Sequence, residues 1–320
     1  MNNLKSNNSI YRNNLISLIV PTYNSRDKVQ RLLESVERQA YNAYEVVFID
    51  DGSSDGTYSF LRKYSLGNDK IRVYRKKHEG PGPARRLGYL KSKGDLLFFL
   101  DSDDWLSRPN TFAEINELFC RYPDIDGCIA KRKAFPSDIV LSSFVGKEIR
   151  SGIYDLSIFS SRTIVGNMST KIFRKEIVTE NAFVGFLNYE DLVASYICLD
   201  KCKKIMCVNN YFYISNHSND RNSLTDSKDY KMNTLMERSE NIIKGSSLIH
   251  NKEIVSSYGS IALDVYCRLI AQHFFTRGSR TSLKELGKII NKADLSCFYP
   301  DYSLKKKIVL WIIKHGRIKK

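Results

Sequence analysis

A chain of 320 residues that is 42% hydrophobic and 27% charged can bury roughly three-quarters of its unfolded surface, which excludes a disordered or collagen-like polypeptide. No apolar run approaches the roughly 18 residues needed to span a bilayer, and the polar, Asn-rich stretch 1–14 has no apolar segment of the secretory kind. The net charge is +15, and residues 231–320, with seventeen Lys/Arg against seven Asp/Glu, carry most of it, so a polyanionic partner is expected, either nucleic acid or an anionic membrane face.

The first hundred residues alternate apolar runs with helical periodicity. Residues 16–20, apolar but for Ser17, form a run ending at Pro21, as a buried parallel strand requires. Val29, Leu32, Leu33 and Val36 then recur at helical spacing, with Ser25 or Asp27 as the expected cap. Residues 45–49 are the next strand, closed by the turn-rich run from Asp50 to Gly56. A short helix with Phe60, Leu61 and Tyr64 leads to a strand at 71–74. A Gly/Pro loop at 79–83 and a helix with Ala84, Leu87 and Lys91 follow, and 96–100 is the most apolar strand. This order implies right-handed crossovers and a parallel sheet covered by helices. Beyond Trp105 the pattern loosens. Phe112, Ile115 and Phe119 mark a helix, 127–130 a strand, and 132–168 stays largely unassigned. A helix is expected over 190–201, strands at 205–208 and 211–214, and a basic helical region from 226 onward. The seven cysteines lack metal-ligand spacing and read as reduced thiols of a cytoplasmic protein; Cys198, Cys202 and Cys207 read as small hydrophobes.

In an open parallel sheet, ligands bind at the carboxyl ends of the strands. The polar residues placed there are Pro21-Thr22-Tyr23-Asn24, Asp50-Asp51-Gly52-Ser53, Arg85 and Asp101-Ser102-Asp103-Asp104. Three carboxylates in four residues after a buried strand repel one another unless a cation is bound. Hard oxygen ligands suit Mn²⁺ or Mg²⁺ bridging a diphosphate, whereas capping a helix would need only one carboxylate. Asp51 suits hydrogen bonds to a base or ribose, although an Asp-Gly turn alone would also place it there. Arg85 could pair with a phosphate or with the Asp cluster. No GxGxxG follows the first strand and no P-loop lysine motif is present, which argues against a dinucleotide oxidoreductase and a P-loop NTPase.

These four motifs, in this order and each at a strand end, resemble the N-terminal half of the family 2 glycosyltransferases. The resemblance implies a GT-A fold: α/β, with a mainly parallel Rossmann-like sheet flanked by helices, here followed by a C-terminal helical lobe. It implies that Pro21, Thr22, Tyr23 and Asp51 hold the base and ribose and that Arg85 lies near the nucleotide. Asp101, Ser102 and Asp103 would form the DxD element, with Asp101 and Asp103 as metal ligands. The family usually has Asn after that Arg; here the residue is Arg86. Farther on, Lys171-Ile172-Phe173-Arg174-Lys175 followed by Glu190-Asp191 resembles the acceptor-side segment, with Asp191 as general base and Glu190 beside it. On the bare sequence the same pair could be an acidic first helical turn. His217 falls where some relatives place a further metal or phosphate ligand, and Arg221 where a loop closes over the diphosphate.

The expected organisation is a polar tail at 1–14, a glycosyltransferase domain at 15–225 and a basic helical region at 226–320. The expected activity is inverting, metal-dependent hexosyl or N-acetylhexosaminyl transfer from a nucleotide-diphospho sugar, a UDP-sugar, to a saccharide or lipid-linked acceptor in cell-surface polysaccharide synthesis. The Gln-x-x-Arg-Trp motif and membrane spans of processive synthases are missing, which points to single additions. A nucleotidyltransferase would want a Gly-rich, Lys-containing loop after Val20, and a nucleic-acid-binding protein a recognisable module; neither is present, so no nucleic-acid partner is expected. Leu304, Ile308, Trp311 and Ile312 recur at helical spacing among Lys305, Lys306, Lys307, Lys314, Arg317, Lys319 and Lys320. That pattern suits an in-plane helix on an anionic membrane, placing the enzyme at the inner face of the cell membrane. A terminal helix docked on the protein is the competing expectation.

Overall fold

The computed structural model describes residues 13–145, 149–160, 163–164, 166–183, 190–218, 239–271, 277–293, 295 and 304–315. Strands β1 (Ile16–Thr22), β2 (Tyr44–Asp50), β3 (Ile71–Arg75) and β4 (Leu96–Phe99) pair in parallel in the order β3-β2-β1-β4. Helices α1 (Val29–Glu37), α2 (Thr57–Ser65) and α3 (Pro81–Lys91) connect them. Both faces of the sheet are covered, so β1, β2 and β4 are apolar at nearly every position rather than alternating. The expected side-chain cap of α1 is not made. Lys28 occupies the cap position, and the Ser25 carbonyl instead accepts the Lys28 and Val29 amides in a tight turn. Ser25 is held elsewhere: its amide donates to Thr57 Oγ1 at 2.9 Å and its hydroxyl to the Tyr23 carbonyl at 3.0 Å.

After the two-residue strand β5 (Trp105–Leu106) and helix α4 (Thr111–Arg121), β6 (Gly127–Phe135) continues well past the four residues expected of it. The unassigned stretch contains β7 (Val140–Leu141), β8 (Phe144–Val145), β9 (Gly152–Tyr154) and β10 (Thr163–Ile164), all very short. Then come β11 (Lys171–Arg174), α5 (Glu190–Lys201) and β12 (Ile205–Asn216). The two strands expected at 205–208 and 211–214 are one, with register shifts against β6 on either side of Tyr211. The main sheet runs β3-β2-β1-β4-β11-β6-β12-β5; β11 is antiparallel to both neighbours, while β6 and β12 are parallel to each other.

Helix α3 lies so close to β1 that a side chain at Gly88 has no room: a Cβ there would sit 2.3 Å from Ile19 Cγ2. We expect Gly88→Ala to lower the denaturant midpoint. Overpacking costs about 1–3 kcal/mol, against a gain of about 1 kcal/mol from removing glycine from a helix interior. A raised midpoint would mean that the two layers can part freely.

Helices α6 (Lys252–Ala271), α7 (Arg277–Lys292) and α8 (Leu304–His315) supply the helical region. Its apolar side chains, among them Ile254, Tyr258, Leu286 and Ile290, share one core with Val193 and Tyr196 of α5 and with Phe144 and Phe159. Helix α8 packs on α6 and α7 through buried Val309, Leu310 and Ile313, and Lys306 pairs with Asp264 at 3.1 Å. The stripe Leu304, Ile308, Trp311 and Ile312 is a different set of positions, whose side chains lie outside those described. Among the described residues no helix is long and apolar enough to cross a membrane. The six described cysteines are free thiols, five of them buried.

Candidate active site

The topology brings the chemistry to one edge of the sheet. β1, β2 and β4 end there; β11, running the other way, begins there with Lys171; β6 and β12, antiparallel to β11 and thus aligned with β4, end there at Phe135 and Asn216. The first turn of α5, with Glu190 and Asp191, reaches the same edge through Arg85 of α3.

At the β1/β2 end, the loops after the two strands are tied together. The Asp51 amide donates to the Thr22 carbonyl at 2.8 Å, the Asn24 amide to Ser53 Oγ at 3.0 Å, and the Ser54 amide to Asn24 Oδ1 at 2.9 Å. Thr22 is buried beneath them and its hydroxyl donates to the Ile49 carbonyl. Gly52 has φ +78°, and a Cβ on it would meet the His78 amide nitrogen at 3.0 Å, so this turn needs glycine. The Asp51 carboxylate, almost fully buried, receives Lys76 Nζ at 2.8 Å and the amides of Glu79 and Gly80 at 3.1 and 2.8 Å; His78 Nδ1 lies 2.8 Å away. Tyr23 is 49% exposed and stacks on the His78 ring, with centroids 4.1 Å apart. The exposed Tyr23 ring and the Asp51 carboxylate thus stand side by side, the carboxylate covered by the 76–80 segment. Pro21 is the last but one residue of β1 and stands beside it.

In the loop after β4 the three carboxylates separate into different jobs. Asp101 is 47% exposed and accepts from Arg85 Nη2 at 2.6 Å. Ser102 donates to Ser25 Oγ at 2.8 Å. Asp103 has its carboxyl pushed up, chiefly by burial and then by the charge on Asp101, against the pull of Lys28 and His217. Asp104 is buried and accepts the Asn216 amide at 2.9 Å; burial and the charges of Asp101 and Asp103 push it well above the usual carboxylate range. It pins the end of β12 to this loop, a structural task. The segment that follows is β5, so none of the three caps a helix.

Arg85 is buried, and its other terminal nitrogen pairs with Glu190, also buried; its Nε has no partner among the described residues. Asp191 is only partly buried at its surface, yet its carboxyl is pushed up by burial and by Asp101, while Arg85, the Leu192 amide at 2.8 Å and Lys171 favour the charged form. Lys171 has no exposed surface. Its ammonium donates to the Asn167 carbonyl at 2.7 Å and to Thr170 Oγ1 at 3.2 Å, and burial lowers its pKa to about 7 although Asp191 opposes that shift.

Two carboxylates driven together by the fold, Asp101 and Asp103, with a hard oxygen donor set, fit a divalent cation. Among the described residues no three His, Cys, Asp or Glu side chains converge into a ready-made cage. Such an arrangement suits an ion whose remaining ligands come with a diphosphate. His217 is exposed, close enough to Asp103 to favour its charged form, and its amide donates to the Phe135 carbonyl at 2.8 Å. Arg86, in place of the family's Asn, pairs with Glu180 on the half-exposed surface. Arg221 lies outside the described residues. Sequence reasoning did not single out Lys171, Lys76, His78 or Lys28. The one available signal was Lys171 itself, a charge opening an otherwise apolar strand.

Comparison with known proteins bears on the family and the fold. The profile of Glycosyl transferase family 2 covers residues 17–180, just over half of the chain. A cholesterol galactosyltransferase of Borreliella burgdorferi is 25% identical over 214 residues, which is 62% of this chain and 59% of that protein. The poly(ribitol-phosphate) beta-N-acetylglucosaminyltransferase TarS of Staphylococcus aureus is 29% identical over 168 residues, 52% of this chain and 28% of TarS. The crystal structure of TarS residues 1–349 with UDP-GlcNAc superposes with a TM-score of 0.63 at 19% identity, covering 93% of this chain and 90% of that one. The mannosyltransferase PcManGT of Pyrobaculum calidifontis, solved with GDP-Man and Mn²⁺, gives 0.50 at 14% identity, covering 93% and 79%. The chain spans less than two thirds of the length of the curated relatives it matches. With a GT-A sheet and these motifs at its ligand edge, the chain belongs to glycosyl transferase family 2.

Proposed function

We propose that the protein transfers a sugar, with inversion, from a UDP-sugar to a hydroxyl of a cell-surface saccharide or lipid-linked acceptor. The observation that carries this reading is the order of groups along one sheet edge: Tyr23 and Asp51, then Asp101 and Asp103 with Arg85, then Glu190 and Asp191. That is the order of base, diphosphate and reacting carbon in a nucleotide-sugar. The choice of UDP is supported by the TarS complex, and the acceptor class by the acceptors in the relatives' names.

In this reading Tyr23 stacks on the base, and Asp51 accepts hydrogen bonds from base or ribose once the 76–80 loop yields to it. A bound Mn²⁺ or Mg²⁺, held by Asp101 and Asp103, would offset charge on the departing diphosphate. Arg85 turns a guanidinium toward the same oxygens, and Glu190 keeps that guanidinium in place. Asp191 takes the acceptor proton as the acceptor oxygen bonds to the anomeric carbon and the bond from that carbon to the diphosphate breaks on the opposite face. A carboxyl raised by burial is a better base than an ordinary Asp, provided that it stays ionised, and Lys171 and Arg85 serve that end. Arg221 would close over the diphosphate and His217 would stand at its margin. The basic C-terminal helix, whose sequence sets Leu304, Ile308, Trp311 and Ile312 among seven Lys/Arg residues, would hold the enzyme against the anionic inner face of the membrane.

Thermal unfolding with UDP-sugars and Mn²⁺ tests the donor, because a true donor stabilises the fold by mass action. A raised midpoint together with acceptor-dependent release of UDP is the expected result. Release of pyrophosphate would instead identify a nucleotidyltransferase, and neither stabilisation nor release would exclude both.

A further inference from the structure

Beyond the carboxylates, the ligand edge carries a group of side chains with no part in the mechanism above. Arg31, in the first turns of α1, places its guanidinium 5.3 Å from the ring centroids of both Trp105 and Phe135. The two rings meet edge to face at 5.4 Å. They come from the strands on either side of β12, with Trp105 paired to Ile214 and Phe135 to Asn216. The patch adjoins the carboxylates directly. Trp105 follows Asp104 in the chain, and the Phe135 carbonyl holds the amide of His217, which faces Asp103 together with Lys28. In sheet order it lies at the end opposite Tyr23 and Asp51.

A cation–π contact at an exposed site contributes only about 0.5–1 kcal/mol, so the charge of Arg31 is largely available to a ligand. Here Arg31 is exposed, both rings are only partly covered, and Arg31 has no ion-pair partner among the described residues. An exposed guanidinium beside two rings and without a carboxylate partner can offer its N–H groups to a bidentate oxyanion. The ring faces beside it suit the C–H surface of a sugar or polyol. With Lys28 adding to the positive field, the patch complements an anionic chain.

We propose that Arg31, Trp105 and Phe135 form an acceptor subsite for a phosphodiester-linked glycan chain. The proposal rests on the transferase reading above and names the acceptor's class. A phosphodiester backbone sets one charge between successive units, so Arg31 can hold a phosphate while the hydroxyls of the next unit remain free to reach Asp191.

The test is equilibrium binding of fluorescently labelled poly(ribitol phosphate) to the full chain, with neutral dextran and polygalacturonate as comparison polymers, and UDP binding measured in parallel. The wild type should bind poly(ribitol phosphate) more tightly than either comparison polymer, and its affinity should fall with added salt. Arg31→Gln should weaken that binding about tenfold, the scale of one charge-assisted hydrogen bond, with UDP affinity unchanged. Arg31→Lys should recover part of the loss, and Phe135→Leu should weaken binding with the charge intact. Equal affinity of wild type and Arg31→Gln for the polymer would overturn the subsite. Equal binding of polygalacturonate would overturn its phosphodiester assignment, and loss of UDP binding in Arg31→Gln would move the residue to the donor side. A wild type that binds the polymer through Arg31 yet neither binds nor turns over any UDP-sugar would refute the transferase reading and leave the polymer site standing.

Discussion

Asp191→Asn is expected to lower kcat by about 10²- to 10⁴-fold while UDP binding persists, because the amide keeps the size and hydrogen bonding of the carboxylate but cannot take a proton. Glu190→Gln should cost less in kcat and more in donor affinity, since Glu190 acts by pairing with the Arg85 guanidinium. Steady-state rates with the effects in the opposite order would transfer the base role to Glu190. The pH profile gives an independent check. Burial and Asp101 raise the Asp191 carboxyl, so the ionised base is lost at a higher pH than for an ordinary Asp, and the acid limb of kcat should lie above the usual carboxylate range. Lys171 and Arg85 oppose that rise. Lys171→Met removes one of these two cations and should move the acid limb further up; an unmoved limb would show that Lys171 does not act on the base. Lys171 itself, lowered to about 7, loses its charge as the pH rises through neutrality, so its support of Asp191 weakens on the alkaline side.

The parts of this arrangement that could be read from the sequence are those in which burial leaves a pattern. Strands covered on both faces appear as apolar runs, unbroken in β4 and interrupted only by Ser17 before Pro21 in β1, and the polar residues after them stand out by contrast. Val29, Leu32, Leu33 and Val36 of α1 are all buried, as their spacing predicts. The second half resists for a physical reason. A two-residue strand such as β7, β8 or β10 is too short to show any period, and its existence depends on a partner distant in sequence. In β12 the exposed pair Asn209-Asn210 resembles a turn, yet pairing with β6 resumes at Tyr211 after a shift of register. Lys171 stands in the acceptor-side motif, but apart from its charge at the start of β11 nothing in the sequence marks it as a functional group. Its burial is created by Asn167, Thr170 and Asp191, and the proximity of Asp191 is a property of the fold. The division of labour within Asp101, Asp103 and Asp104 was likewise hidden, because only the Asn216 amide, 112 positions further along, shows which of them is structural.

That division makes the second large effect specific. Asp103→Ala should abolish the dependence of turnover on divalent cation together with turnover itself, by at least about 10³-fold, since several kcal/mol of transition-state charge stabilisation depend on the cation. The physical motive lies in the apo-state cost: burial and the charge on Asp101 push the Asp103 carboxyl above its ordinary range, so its charged form is disfavoured there and a cation would offset that cost. Cation binding should therefore release protons, and Mn²⁺ affinity measured in the presence of UDP should rise with pH through the acidic range. Asp104→Asn supplies the contrast. It would weaken the anchor of the β12 end and lower thermal stability, but it should leave the Mn²⁺ dependence of the remaining activity in place. Asp101→Asn should give a mixed result, because that carboxylate also holds Arg85 Nη2 at 2.6 Å. If wild-type turnover were indifferent to chelator and Asp103→Ala kept near-normal rates, Asp101 and Asp103 would not be a cation site. Arg85 would then be the main positive group left to meet the departing diphosphate.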